Sequence, residues 1–169
     1  MYNALEACAE HLEQFGGHMY AAGMTLKEEN YEKFKAAFEN EVKKTIPPDL
    51  LIPEISVDLE MNFSDLDEKF MRILKQFEPF GPENMTPVFM SKNVIDSGYA
   101  KTLGNDAEHL KAFVKQNNSP NFNAIGFGLG AKIDVVKNRN PFEAVYVLEE
   151  NEWNGTVSLQ LQLRDVRTN

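Results

Sequence analysis

Apolar residues along the chain change period from helical to alternating spacing, and each change predicts an element. Leu5, Cys8, Leu12 and Phe15 recur at spacings of three and four, which predicts an amphipathic helix stopped by Gly16-Gly17. Only Asn3 offers that helix an N-cap, the pattern expected where a chain has been cut from a longer one. A segment rich in small residues, 18–22, closes at Gly23. Tyr31, Phe34, Phe38 and Val42 then share one face of a second helix over 28–46, of about five turns. Thr25 and Glu28 have capping-box spacing, although the helix can also begin a few residues later.

Pro47-Pro48 ends the helical period, and an alternating one follows. Ile55, Val57, Leu59 and Met61 alternate with Ser56, Asp58 and Glu60, predicting a strand with one apolar face. Ser64 opens a short helix bearing Leu66, Phe70, Ile73, Leu74 and Phe77, and residues 78–84 are too punctuated for a regular element. Residues 88–95, 99–103 and 109–116 read as strands, the last also compatible with a helix, while 117–123 and 137–141 read as turns. The clearest signal comes last. Residues 142–150 and 156–166 flank a turn ending in Asn154-Gly155, a hairpin dipeptide, with Val157, Leu159, Leu161 and Leu163 on one face of the second arm.

The expected fold class is therefore α+β. Residues 1–46 form a partial helical and mixed segment, 47–62 a connecting strand or linker, and 63–169 a β-barrel domain with an added helix. Some 40 residues rarely bury a sufficient core unaided, so the first segment needs something to pack on.

Composition narrows the class. Hydrophobic residues are 43% and charged residues 25% of the chain, ordinary globular values. No apolar run approaches the ~18 residues a membrane span needs, and the N-terminus lacks a signal-peptide core, so no membrane partner is expected. The lone Cys8 cannot form an internal disulfide, which points to a reducing, cytoplasmic setting. The formal charge of −9 argues mildly against nucleic acid. That charge is uneven: residues 47–89 carry −6, whereas 90–142 carry seven basic against four acidic residues. A polyanion is drawn to the second stretch and repelled by the first.

Phe15-Gly16-Gly17-His18, continuing to Ala21-Ala22-Gly23, admits two readings. Glycines let a backbone approach a ligand and present N–H groups to an anion, aided by a short helix starting near His18. Alternatively they cap the first helix, and His18 is a buried core histidine. Asp65 and Asp67 read as the acidic first turn of a helix rather than as metal ligands. His11 reads as solvated and Cys8 as buried. Aromatic residues lie among bases in the second half: Tyr99 by Lys101, and Phe113 between Lys111 and Lys115. Single-strand binders need this pairing of cationic track and stacking faces. His109 is either part of that groove or an inert strand histidine. Trp153 is either an exposed stacker or a lid on the barrel, while Phe122, Phe127 and Tyr146 are expected inside.

The Gly-Gly-His block resembles the DHH-associated domain of DHH-type phosphoesterases. Glu78-Pro79-Phe80-Gly81-Pro82-Glu83-Asn84 with Pro87-Val88-Phe89, then Gly104 with His109-Leu110-Lys111 and Ala124-Ile125-Gly126-Phe127-Gly128, resemble the RecJ family of single-strand-specific 5′→3′ DNA exonucleases, as does the 151–166 hairpin. The resemblance implies a C-terminal portion of such an enzyme, acting in DNA repair and recombination: the end of the DHH-associated domain, then an OB-type domain. It implies that Gly16, Gly17 and His18 contact phosphate, with His18 catalytic. It also implies that the OB-type domain holds single-stranded DNA, and the base-and-aromatic pattern makes Lys101, His109, Lys111, Phe113, Lys115 and Trp153 the candidate contacts; a single-strand-binding protein is a candidate partner. The family's two Mn²⁺ or Mg²⁺ ions are held by a DHH motif, and no Asp-His-His occurs here. The expectation is that this portion binds no metal and is inactive alone. Rival readings are another DHH phosphoesterase, or an OB-type module serving protein contacts.

Overall fold

The helical spacing of residues 5–15 predicts a helix running to Gly16-Gly17, but the chain leaves the helix sooner. The computed structural model describes residues 2–18, 21–137 and 139–168. It falls into two units, Met1–Glu54 and Ile55–Asn169. In the first, α1 spans only Tyr2–Glu6, a 3-10 turn covers Ala9–His11, and β1 (Gln14–Gly17) pairs antiparallel with β2 (Ala22–Thr25). Gly17 takes φ 148, a backbone region that suits glycine and is incompatible with a helix, so the Gly16-Gly17 pair is carried in the hairpin. The four apolar side chains still reach one core: Leu5 and Cys8 are buried with Phe34, and Leu12 and Phe15 pack against them. The pattern thus located the core correctly and the backbone incorrectly. The short helix expected near His18 would run through residues 19 and 20, which lie outside the described residues; the His18 N–H donates to the Ala21 carbonyl at 2.8 Å, next to the Gly17–Ala22 pair of the hairpin.

The second helix, α2, spans Tyr31–Thr45 after a 3-10 turn at Glu28–Asn30. Phe34 faces the core, while Lys43 and Lys44 occupy the last turn, where the helix dipole favours cations. Pro47 then diverts the chain into a 3-10 turn at Pro48–Leu51.

In the second unit the alternating segment 55–61 yields only β3 (Leu59–Glu60), paired parallel with the start of β4 (Phe89–Asp96). Ile55, Val57 and Leu59 are exposed, contrary to the one-face-buried expectation. The segment lies at an edge, where alternation alone cannot supply a covering layer. Asp67 caps α3 (Glu68–Leu74) by accepting the Phe70 N–H at 2.7 Å, so the helix begins there rather than at Ser64.

The barrel continues through β5 (Lys101–Leu103), β6 (His109–Gln116), β7 (Phe122–Gly126), α4 (Ile133–Lys137), β8 (Phe142–Trp153) and β9 (Thr156–Thr168). β4 pairs with β8, β8 with β9, β9 with β7, β7 with β6, and β6 returns to β4. Five strands thus close a ring of the OB type. Only the β7–β9 pairing is parallel within that ring. Two bulges keep it curved. One, in β4 between Ser91 and Val94, places Asn93 at φ 55 and shifts the buried positions from 89 and 91 to 94 and 96. The other, in β9 opposite Val145 and Tyr146, shifts them from 161 and 163 to 166.

Phe63 meets Phe122 and Tyr146 edge-on in the core, at 5.3 and 5.9 Å between ring centroids. The Tyr146 hydroxyl and Ser91 Oγ lie 2.8 Å apart, and Ser91 Oγ donates to the Met61 carbonyl at 2.7 Å. Burial pushes the Tyr146 phenol up to about 12, the Ser91 hydrogen bond pulling the other way. Gln116 joins three elements: its Oε1 accepts from the Phe63 N–H and its Nε2 donates to the Lys92 carbonyl, both at 2.8 Å.

Candidate nucleic-acid interface

Strand alternation decides what β6 shows to solvent. Leu110, Ala112, Val114 and Gln116 are buried, so His109, Lys111, Phe113 and Lys115 share the outer face. Register extends that face sideways. Lys101 of β5 lies directly opposite Lys111, Lys111 opposite Ile125, and Phe113 opposite Asn123. None of the residues of β5, β6 or β7 is acidic. Two lysines facing one another across a strand pair repel, an arrangement that a bound anion relieves.

The aromatic residues complete the surface. Tyr99, 70% exposed, stands edge-on to Phe113 at 6.1 Å between centroids. Tyr99, Lys101, Lys111, Phe113 and Asn123 line a groove of about 410 Å³. At the other end of β6, His109 meets Phe127 edge-on at 5.3 Å. The Gly128 N–H donates to His109 Nδ1 at 3.2 Å, which leaves Nε2 to carry the proton of the neutral ring. Phe127 is 62% exposed, which corrects its assignment to the core; Phe122 and Tyr146 are buried as expected. Its position between Gly126 and Gly128, beyond the end of β7, is the signal for exposure.

Asp96 was not singled out by the sequence. It is 2% exposed, and its carboxylate accepts the N–H groups of Gly98 (2.7 Å), Ala100 (3.1 Å) and Phe113 (3.3 Å). These bonds fold residues 97–100 back onto β6 and bring Tyr99 to Phe113. An Asp two residues before a Gly is an Asx-turn signal.

Trp153 ends β8 beside Asn154 and Gly155, whose φ values of 50 and 75 fit a type I′ turn. At 74% exposed it covers no core, so the lid alternative falls. The pairings Trp153–Thr156, Asn151–Ser158 and Glu149–Gln160 put it on the sheet face that Gln160 shares with Asn123.

In the first unit, Gly17 has φ 148, and a Cβ there would stand 2.3 Å from the Ala21 carbonyl oxygen, whereas one at Gly16 would meet nothing within 4 Å. Gly17 is therefore required by the hairpin, and Gly16 leaves its backbone open to approach. His18 is exposed rather than buried, and lines a cleft of about 860 Å³ with Tyr2, Phe38, Glu41 and Thr45 among others. Cys8 is buried, and burial raises its thiol pKa, with Glu41 and Glu10 adding to the shift. Among the described residues no three His, Cys, Asp or Glu side chains converge to hold a metal ion. This donor set does not fit a two-metal centre. No helix among the described residues is long and apolar enough to cross a membrane.

Comparison with known proteins decides the family: the RecJ OB domain profile matches residues 57–165. The chain belongs to the RecJ OB domain family. Over nearly its whole length it is 27% identical, across 165 residues, to the single-stranded-DNA-specific exonuclease RecJ of Bacillus subtilis, covering 98% of this chain and 21% of that protein. The RecJ of Escherichia coli is 25% identical over 157 residues, covering 90% of this chain and 26% of its own length. A crystal structure of RecJ from Thermus thermophilus in complex with Mn²⁺ is similar with a TM-score of 0.74 and 26% identity, over 99% of this chain and 24% of that one. The chain thus spans between about a fifth and about a quarter of these RecJ proteins.

Proposed function

We propose that this chain supplies the C-terminal, DNA-holding portion of a RecJ-like 5′→3′ single-stranded-DNA exonuclease. The observation that carries this reading is the acid-free outer face of β5–β7, with Lys101 opposite Lys111 and Tyr99 and Phe113 beside them. The lysines follow phosphates while the rings offer faces to bases, a combination that holds single strands without needing their sequence. Lys115, His109 and Trp153 extend the track. In the first unit, residues 1–46 represent the end of a DHH-associated domain. There Gly16 opens the backbone to a phosphate, and the His18 imidazole donates to it and stabilises developing charge. The metal ligands of the reaction lie outside this chain's donor set, so the purified chain is expected to leave a 5′-phosphorylated oligonucleotide intact even with Mn²⁺.

Fluorescence anisotropy with labelled dT oligonucleotides at low and high salt tests the DNA reading. Binding at low salt that weakens steeply as salt rises is expected. No binding at low salt overturns it in favour of a module for protein contacts, such as with a single-strand-binding protein. That second reading draws on Phe77 and Met85, 60% and 74% exposed within the acidic 47–89 segment.

A further inference from the structure

The groove between Tyr99 and Phe113 holds more than a charge track, because Asn123 is also there. It is exposed, it stands directly opposite Phe113 in the β6–β7 register, and it lines the same space as Lys101 and Lys111. Tyr99 and Phe113 meet at 81° between ring planes, which makes a corner rather than a flat platform. A corner of two rings with one amide beside it suits a single planar heterocycle entering edge first.

An amide carries a donor and an acceptor side by side, and it can turn over to exchange them. The Watson–Crick edge of every base carries the complementary pair. Adenine and cytosine offer an amino donor beside a ring-nitrogen acceptor; guanine and thymine offer a carbonyl acceptor beside a ring N–H. In a duplex these edges are already paired, whereas in a single strand they are free. We infer that Asn123 reads the exposed Watson–Crick edge of one nucleobase in the Tyr99–Phe113 corner, so the groove selects unpaired bases of any identity. This rests on the proposed single-strand-binding role and adds the feature of the strand that is sensed: a base with a free edge, not only a flexible chain of phosphates.

The test compares three labelled decamers with equal phosphate number, namely dT, dA and an abasic backbone, on the full chain by anisotropy. The two base-bearing strands are expected to bind within about threefold of each other, and the abasic strand at least about tenfold more weakly, since stacking and edge contacts are lost. Asn123→Leu, nearly isosteric and on an exposed strand position, is expected to shrink the gap between intact and abasic strands by about fivefold or more, since the donor and the acceptor of the amide are lost together. Its salt slope should stay unchanged. Lys111→Gln should weaken intact and abasic strands alike and preserve the gap. An abasic strand bound as tightly as dT overturns the base subsite while leaving DNA binding intact. A gap unchanged in Asn123→Leu overturns the role of Asn123. No binding of any strand by the wild-type chain, even at low salt, overturns the DNA reading itself, and this inference with it.

Discussion

Replacing Asp96 with asparagine tests whether the Tyr99–Phe113 corner is built by one buried carboxylate. In the native chain three backbone N–H groups converge on it, at 2.7, 3.1 and 3.3 Å. The Asn side chain keeps one acceptor oxygen but turns an NH₂ group toward donors that then have no partner. Hydrogen bonds to a charged group contribute about 1.5–3 kcal/mol net against about 1 for neutral ones, and stranding a buried donor costs about 1–3. The Gly98 and Ala100 amides lie in a loop that water can reach, whereas the Phe113 amide lies within β6. Counting the Phe113 donor as stranded, and the Gly98 and Ala100 bonds as retained but weakened, gives an expected loss of about 2–4 kcal/mol. With a urea m-value of about 1–3 kcal/mol/M, the unfolding midpoint should fall by about 1 M or more. Far-UV circular dichroism should follow the transition, because Trp153 is too exposed for its fluorescence to report the core. A second readout separates stability from site geometry: oligonucleotide affinity under conditions where the variant is fully folded should drop, since Tyr99 is no longer held at Phe113. A midpoint shift below about 0.3 M, well inside the spread of neutral surface substitutions, would refute the account.

Three further outcomes follow from particular contacts. The folded chain holds the Tyr146 proton past its ordinary pKa of 10.0, up to about 12. The associated stability, of the order of 2–3 kcal/mol, is fully present below pH ~10 and is lost as pH rises toward 12; Tyr146→Phe should remove that alkaline loss in pH-dependent urea titrations. Lys101→Gln and Lys111→Gln should each reduce the slope of log K against log salt by about 0.7, one single-strand phosphate contact, and an unchanged slope would place that lysine off the track. Gly17→Ala should cost about 1–3 kcal/mol through strain, read as faster hydrogen exchange across β1 and β2, whereas Gly16→Ala should stay within about 0.5.

The outer face of β6 was legible because strand alternation is local. Once residues 109–116 are a strand, His109, Lys111, Phe113 and Lys115 must share a side. Their neighbours were not legible in the same way. Asn123 falls where turn residues crowd the sequence, and only the pairing of β7 with β6 puts it opposite Phe113. Asp96 is likewise ordinary in the sequence, a lone acid at the end of an apolar run, and becomes the organiser of the corner only when the bulge at Asn93 turns it inward. The first helix failed for the converse reason. Leu5, Cys8, Leu12 and Phe15 converge on Phe34 whether they are carried by a helix or by a turn and a strand, so their spacing reports burial without fixing the backbone. The net charge averages over faces that differ. Its acidic share is densest at 47–89 and is absent from the outer face of β5–β7, and a polyanion responds to the field at the face it meets rather than to the sum over the chain. What decides whether this chain holds DNA is thus a matter of register: one residue of slip in β6 would turn Lys111 and Phe113 inward and bring Ala112 and Val114 out.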